Sequence, residues 1–419
     1  MSRRSSASFT RRRLLAGCVG ITSLAPTVHG ALASCRSGDQ PWVPDDALLS
    51  DLPRLMRALA VPGLAIAVVE QGEVAWSRTF GIKRVGADDP VVADTLFEAA
   101  SLSKPVFAYL VLQLVDEGML ELDRPLVAYR RPDYLSDSPL IERITARDVL
   151  RHSTGLPNWR AHPASEKLEP AVMPGTRIDY SGEAIVWLQL VVERVTGTSL
   201  DELMHKRLFD PAGMRDSTYT WNADVAARSV HGHAGPDGEP AEPEQWFREA
   251  WSAAQQVADR HERPLAGWTY DDAARFLPEV QAIASPGLVN WPGDIIANAA
   301  ASLRTTATDY ARFLVLCMHR AHRQSWELQA STREAMLAPQ LPMPARWSQK
   351  TLGWNLETTS VGPLFFHSGS NGGVFKTFAL GDAARRRGIV VFTNSGGGHL
   401  LYRRIVRDAV GLDLLAFDI

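Results

Sequence analysis

The stretch that most constrains this chain runs through residues 97–118. Residues 106–117 are almost wholly apolar and are closed by Gly118. Glycine fits the left-handed position after a last helical turn, so residues 102–117 read as a buried helix. Pro105 is tolerated there only in the first turn, which places Ser101 at or beside the helix N-terminus. Ser101 and Lys104 are then three residues apart on one face, with the positive end of the helix dipole beside the hydroxyl. A hydroxyl, an amine within reach and a field that favours negative charge are what an activated nucleophile needs. The same residues also read as an N-capping serine followed by an unrelated lysine. Ser101 to Lys104 is the one Ser-x-x-Lys in a chain with six lysines, where about 0.4 would arise by chance, so the motif alone is weak.

The 419 residues are long for one core and short for three domains, and 45% hydrophobic with 22% charged residues is a globular composition. No repeat period or low-complexity tract is present. Thr10-Arg11-Arg12-Arg13-Leu14-Leu15 resembles a twin-arginine export signal, followed by a weakly apolar run too short to stay in a bilayer. Ala31-Leu32-Ala33 fits signal-peptidase cleavage before Ser34. Leu32-Ala33-Ser34-Cys35 also fits a lipoprotein box, which would leave a lipid on Cys35. Residues 1–35 are therefore expected to be an export signal, and the product periplasmic or extracellular; a basic tail on a cytosolic protein is the competing reading. Losing the five arginines that precede residue 34 would take the net charge from −3 to −8, with no basic stripe left for nucleic acid. Contact with a membrane is expected only through a lipid on Cys35. Of the remaining cysteines after cleavage, Cys317 falls at helical spacing with Tyr310, Phe313 and Leu314 and reads as a buried thiol, so no disulfide framework or cysteine-based metal site is implied.

Beyond residue 35 a helix is expected over about 44–59, then strands over 64–70 and 73–79 around Gln71-Gly72, an antiparallel hairpin. Helices follow near 185–197 and 308–320, strands near 374–380 and 388–394, and an amphipathic helix over 399–410. Strands from both chain ends enclosing helices predict an α+β protein: one antiparallel sheet flanked by helices, beside an α-helical lobe. A single domain over 36–419 is expected, its α/β part about 44–96 and 345–419 and its mainly helical part about 97–344. Residues 222–290, with Trp246, Trp251 and Trp268, read as an insertion that either lines a cleft or packs on the surface.

Two further stretches carry chemistry. Tyr180 lies in Asp179-Tyr180-Ser181-Gly182 just ahead of a helix, where a phenol could relay a proton or simply close a turn over the core. His367-Ser368-Gly369-Ser370 leads through Asn371-Gly372-Gly373 into a strand, and small residues at a strand edge allow a ligand or another backbone to approach closely. His231-Gly232-His233 lacks a third metal ligand and reads as a surface loop. Gly396-Gly397-Gly398 lacks the lysine and spacing of a nucleotide loop, and Arg385-Arg386-Arg387 reads as a solvated hairpin turn.

Taken together, these residues resemble the serine β-lactamase and penicillin-binding protein family, in its branch of class C β-lactamases, D-Ala-D-Ala carboxypeptidases, D-aminopeptidases and related esterases. The resemblance spans about residues 50–410 and rests on landmarks in order: Gly63-Leu64-Ala65-Ile66-Ala67-Val68, Glu117-Gly118-Met119-Leu120-Glu121-Leu122-Asp123, Leu150-Arg151-His152-Ser153-Thr154-Gly155-Leu156-Pro157 and Pro211-Ala212-Gly213-Met214. It implies a β-lactamase/transpeptidase-like fold and an acyl-enzyme formed at Ser101, with Lys104 as its partner and Tyr180 shuttling the proton to the leaving group. His367, Ser368, Gly369 and Ser370 would form the substrate-binding strand, and the backbone N–H groups of Ser101 and Ser370 the oxyanion hole. A lysine or tyrosine acting as base near pH 7 needs about 4 kcal/mol of help from its surroundings, which packing an amine, a phenol and a helix N-terminus together is expected to supply by favouring the phenolate.

Two departures bear on substrate. The second motif is Tyr180-Ser181-Gly182 where the branch usually has Tyr-x-Asn, so an amide that would hold the lysine and a substrate amide is missing. The third motif begins with His367 rather than lysine, as carboxypeptidase-like and D-aminopeptidase-like members do. The resemblance thus implies a hydrolase of peptides, amides or esters (D-alanyl peptides, β-lactams or carboxylic esters) that takes a small-molecule or peptide substrate and no cofactor. A non-catalytic cell-wall-binding or sensor module that kept the fold is the alternative.

Overall fold

The computed structural model describes residues 40–234, 239–240, 243–319, 324–342 and 348–418. The expected leader, with Cys35, lies outside them. The chain opens with α1 (Asp46–Ala58) and the antiparallel pair β1 (Gly63–Glu70) and β2 (Glu73–Gly81). The short strand β3 (Phe97–Glu98) leads into α2 (Ser103–Asp116), and α3 (Gly182–Thr196) follows. After α4 (Pro243–Arg260) and α5 (Tyr270–Ile283), the short strand β4 (Arg304–Thr305) pairs back onto β3, and α6 (Ala307–Met318) comes next. The C-terminal part supplies β5 (Leu341–Pro342), β6 (Ser348–Lys350), β7 (Asn355–Thr359), β8 (Gly362–Asn371), β9 (Phe375–Asp382), β10 (Arg387–Thr393) and α7 (Gly398–Val410).

Among the described residues the main sheet is eight-stranded and antiparallel, in the order β2-β1-β10-β9-β8-β7-β6-β5. The two chain ends meet where β1 pairs with β10, Leu64 opposite Thr393 and Val68 opposite Ile389. The architecture is thus α+β as expected, one antiparallel sheet built from both chain ends and flanked by helices. Side chains alternate along a strand, and β1 shows the consequence. Leu64, Ile66 and Val68 pack with α1 and α7, while Ala65, Ala67 and Val69 pack with the helical lobe. Covered on both faces, β1 is apolar from Gly63 to Val69, whereas the edge strand β2 is largely exposed.

Every residue from Ser103 to Leu114 of α2 is buried, as a helix apolar on all sides must be. Its first turn is clamped by phenols: Tyr219 donates to the Ser103 carbonyl at 2.7 Å and Tyr310 to the Leu102 carbonyl at 3.0 Å. The insertion over 222–290 has its own apolar cluster, in which Ala254, Val257, Trp268, Phe276 and Val280 pack α4 against α5. Cys317 is buried in α6, and burial pushes its thiol well above the usual range.

One expectation fails outright. His231-Gly232-His233 is no surface loop, because His233 is fully buried. The Val85 N–H donates to its Nε2 at 3.1 Å, so its Nδ1 carries the proton and donates to the Asn394 carbonyl at 3.1 Å. Gly232 lies so close to β9 that an added Cβ would sit 2.5 Å from Val374. A neutral imidazole that satisfies one donor and one acceptor gains from burial what a solvated loop would not. No cluster of three or more potential metal ligands occurs among the described residues. Gly397 and Gly398 are packing contacts, pressed against the Leu59 carbonyl and Thr393.

The loop from Leu156 to Leu168 is pinned to α3 by a buried ion pair. Arg160 Nε lies 2.8 Å from Glu183 Oε1, with both side chains about fully enclosed, and the Arg160 N–H donates to the same oxygen at 3.1 Å. Removing one partner strands the other charge. Glu183→Ala is expected to cost about 3–5 kcal/mol, read as a lower urea midpoint at unchanged slope.

Candidate active site

The nucleophile candidate sits on a strained turn. Ala100 has φ of +52°, a left-handed conformation that costs a non-glycine residue about 1–3 kcal/mol and persists only where its surroundings impose it. Here they do. The Ala99 N–H donates to the Leu303 carbonyl at 2.8 Å, Thr377 Oγ1 donates to the Ala99 carbonyl at 2.9 Å, and Ser103 Oγ donates to the Ala100 carbonyl at 2.5 Å. The turn delivers Ser101 half-buried at the start of α2.

Two expected partners converge on it. Lys104 Nζ lies 3.1 Å from Ser101 Oγ and donates to the Ala300 carbonyl at 2.7 Å. The Tyr180 hydroxyl, from the turn preceding α3, donates to Ser101 Oγ at 2.8 Å, and the Lys104 amine lies 4.7 Å from the Tyr180 ring centroid. Burial, then the neighbouring charge of Lys350, bring Lys104 down to about 7. The Tyr180 ring is partly open to the cleft, with 37% of the residue exposed. Even so, desolvation of the phenolate outweighs the hydrogen bond to Ser101 and pushes the phenol up to about 12. These directions run against the expectation of a favoured phenolate: burial favours the neutral amine of Lys104 and the protonated phenol of Tyr180.

The third stretch forms part of β8. Gly369 lies against the nucleophile turn so closely that a Cβ would be 2.2 Å from Thr377 Oγ1 and 2.6 Å from the Ala99 carbonyl. His367 is buried on the same strand face, its Nδ1 donating to the Ser368 carbonyl at 2.7 Å. Burial, Lys350 and Lys104 hold its imidazole well below the usual range, so it is neutral. Ser368 and Ser370 alternate with these residues and expose their side chains, and Lys376 donates to Ser370 Oγ at 2.8 Å. The Ser370 side chain therefore points away from the buried face that His367 and Gly369 present. Pairing with β7 ends at Phe366, which leaves the edge of β8 beyond it open to the cleft.

Sequence reasoning left out four contributors. His152 stacks on Tyr180 with centroids 4.3 Å apart and accepts from the Ser181 N–H at 3.3 Å. It stood within a quoted landmark, but nothing local marked it as part of the site. Lys350, at the end of β6, is 3% exposed and lies 5.8 Å from the Tyr180 ring centroid; burial brings it to about 7. Trp159 packs on Gly182 so tightly that a Cβ there would lie 2.3 Å from the indole. Trp291 meets Trp159 edge-on at 6.3 Å and lines a cavity of ≈ 200 Å³ with Trp221, Trp251, Ile295 and Ile296. Glu98, Ala301 and Asn371 also line it, so it opens beside the nucleophile turn, the Lys104 anchor and the end of β8. The cation in its wall, Arg304, is engaged by Glu98 at 3.0 Å and covered by the Trp221 ring at 4.2 Å.

Comparison with known proteins bears on this geometry. The model of the family described as Beta-lactamase matches residues 50–410. "Penicillin-binding protein 4" of Amycolatopsis lactamdurans is 28% identical over 229 residues, 52% of this chain and 58% of that protein. "Esterase EstB" of Burkholderia gladioli is 31% identical over 248 residues, 52% of this chain and 59% of that protein. The chain thus spans less than two thirds of the length of either relative. A solved structure described as a class C beta-lactamase superposes with a TM-score of 0.65 at 18% identity, covering 87% of this chain and 95% of that one, a likeness of fold.

The close approach of β8 to the nucleophile turn gives a direct check. Gly369→Ala would force strand and turn apart, and a displacement of about 1 Å near reacting atoms can cost roughly 100-fold in rate. The variant is expected to fold, with acylation of Ser101 by a fluorophosphonate slowed by about that factor in timed labelling.

Proposed function

Because the chain belongs to the beta-lactamase family, we propose that it is a serine hydrolase that forms an acyl-enzyme at Ser101 and acts on carboxylic esters in preference to β-lactams and D-alanyl peptides. The observation that carries the reading is the meeting of Tyr180 Oη and Lys104 Nζ on Ser101 Oγ, at 2.8 and 3.1 Å. Groups whose surroundings push their proton affinities apart divide into base and acid, and here Lys104 is drawn down to about 7 while Tyr180 is pushed up to about 12.

In the proposed reaction neutral Lys104 takes the proton of Ser101 as Oγ attacks the substrate carbonyl. The oxyanion is received by the backbone N–H groups of Ser101 and Ser370, a contribution of about 3–4 kcal/mol for each well-placed donor. Tyr180 gives its proton to the departing alkoxide, and Lys104 returns a proton to Tyr180. Water then repeats the sequence on the acyl-serine, so the net reaction is ester plus water to acid plus alcohol.

The preference for esters follows from Gly182. Where the branch usually carries an asparagine, Trp159 fills the space, so position 182 itself offers no side-chain amide, and the Asn158 side-chain oxygen beside it is engaged by the Gly182 N–H at 2.9 Å. The adjoining cavity offers tryptophan and isoleucine walls, and its arginine is already paired. Apolar substituents gain from such a surface. Residues 1–35 are proposed as a leader that exports the enzyme, with Cys35 lipidated if cleavage falls before it.

The test is a labelling and substrate panel on the mature protein. A fluorophosphonate is expected to add one adduct, lost in Ser101→Ala, and intact mass reads the mature N-terminus in the same spectrum. Short-chain nitrophenyl esters should turn over at least about tenfold better in kcat/KM than nitrocefin or a D-Ala-D-Ala peptide. A folded protein that no acylating probe touches would instead favour the non-catalytic binding module. Nitrocefin or the peptide as the better substrate would contradict the ester preference.

A further inference from the structure

We infer that Lys350, which belongs to no motif, is a positioning residue of this site: its buried amine faces the Tyr180 ring and sets the protonation state of Lys104 across the cluster. The inference rests on the reading of Ser101 and Lys104 as nucleophile and base.

The position of Lys350 is built, not incidental. It pairs with Asn355 of β7, which in turn pairs with Phe366, the residue before His367. The turn that follows it is docked on the helix that carries Lys104. Gly353, at φ of +99°, sits so close to α2 that a Cβ would lie 2.6 Å from Ala108, and its N–H donates to the Leu150 carbonyl at 3.0 Å. The Lys350 carbonyl accepts from the Gln340 N–H at 2.7 Å. One short turn thus joins β6 to α2 and to the segment that carries His152, and it brings a second amine to a site whose third motif has histidine in place of lysine.

Enclosing an ammonium costs several kcal/mol unless an anion or a strong set of acceptors compensates it. The titratable groups in this cluster are Lys104, Lys350, His152, His367 and Tyr180. No carboxylate contributes to the shifts of the two lysines or the two histidines. Both imidazoles are held well below their usual range, by burial first and by the two lysines next, so neither carries charge at neutral pH. The positive charge that remains is divided between two amines, both drawn down to about 7. Two such groups lose their protons as a coupled pair, and the first to be charged disfavours the second. With the proton on Lys350, Lys104 is neutral and can accept from Ser101. The cation near Tyr180 meanwhile offsets the negative charge that develops as the phenol gives up its proton.

The sign of the effect is fixed. Lys350 acts on Lys104 by repulsion, so deleting its charge lets Lys104 keep its proton to higher pH. In Lys350→Met the midpoint of the pH profile for Ser101 acylation is expected to rise by about 0.5 to 1, which slows labelling at pH 6 by roughly 3- to 10-fold. The rate at pH 9 should stay within about twofold of the wild type. Lys350→Arg, which keeps the charge, should leave the midpoint at or below that of the wild type. Lys350→Gln carries the same expectation as the methionine variant should the latter not fold. A folded Lys350→Met or Lys350→Gln whose profile superimposes on the wild type would overturn the inference. So would a variant slowed equally at every pH, which marks a purely structural lysine. A wild-type protein that no probe labels at Ser101 would instead defeat the hydrolase reading on which this rests.

Discussion

Desolvation of one amine is the interaction on which the rest of this structure depends. Lys104 rides on a helix whose first twelve residues are all buried, so its amine is shielded from bulk water and meets the Ala300 carbonyl, the Ser101 hydroxyl and the Tyr180 ring. Burying an ammonium this way would be a liability in a structural lysine. Here the same penalty makes the neutral amine available near pH 7, where an exposed lysine would be charged. The phenol beside it is shifted the opposite way by the same cause, since desolvation disfavours whichever form carries charge. A single physical effect therefore accounts for both shifts, and it is what the proposed division into base and acid rests on.

The fold serves that amine by fixing what surrounds it. The left-handed Ala100 turn projects Ser101 toward Lys104 and Tyr180, and three separate segments hold the turn: Leu303, Thr377 and the first turn of α2. Gly369 lets β8 come within contact of the turn, and α3 brings Tyr180 from the other side. The loop that carries Trp159 is anchored by the Arg160–Glu183 pair and by Ser181, whose hydroxyl donates to the Pro157 carbonyl at 2.7 Å. Trp159 then occupies the place of an absent side chain at Gly182. The departure in the second motif is therefore compensated by packing, and the cleft becomes more apolar in consequence.

The parts that were legible in the sequence are those whose signal is local. The apolar run after Pro105 and the closing Gly118 marked α2, the Gln71-Gly72 turn marked the β1–β2 hairpin, and the strands expected near 374–380 and 388–394 are β9 and β10. Ser101, Lys104 and Tyr180 were found from motif and landmark order, and the structure brings them together. What escaped notice depends on segments distant in sequence. Lys350 joins the site because a turn docks on Ala108, 242 positions earlier in the numbering. His152 joins by stacking on Tyr180, and the Ala300 carbonyl by accepting from Lys104. His233 was misread for the same reason, since its partners Val85 and Asn394 are far along the chain. The direction of the Tyr180 shift was also out of reach, because residue spacing carries no measure of desolvation.

The central claim is that Lys104 gives up its proton near neutral pH instead of near 10, and it can be read directly. With only six lysines in the chain, the ε-methylene carbons of a 13C-lysine-labelled sample can be followed through a pH titration, with Lys104→Met assigning its signal. The account predicts that the Lys104 resonance titrates near 7, while exposed lysines titrate near 10. A Lys104 signal that titrates with the exposed lysines would contradict it.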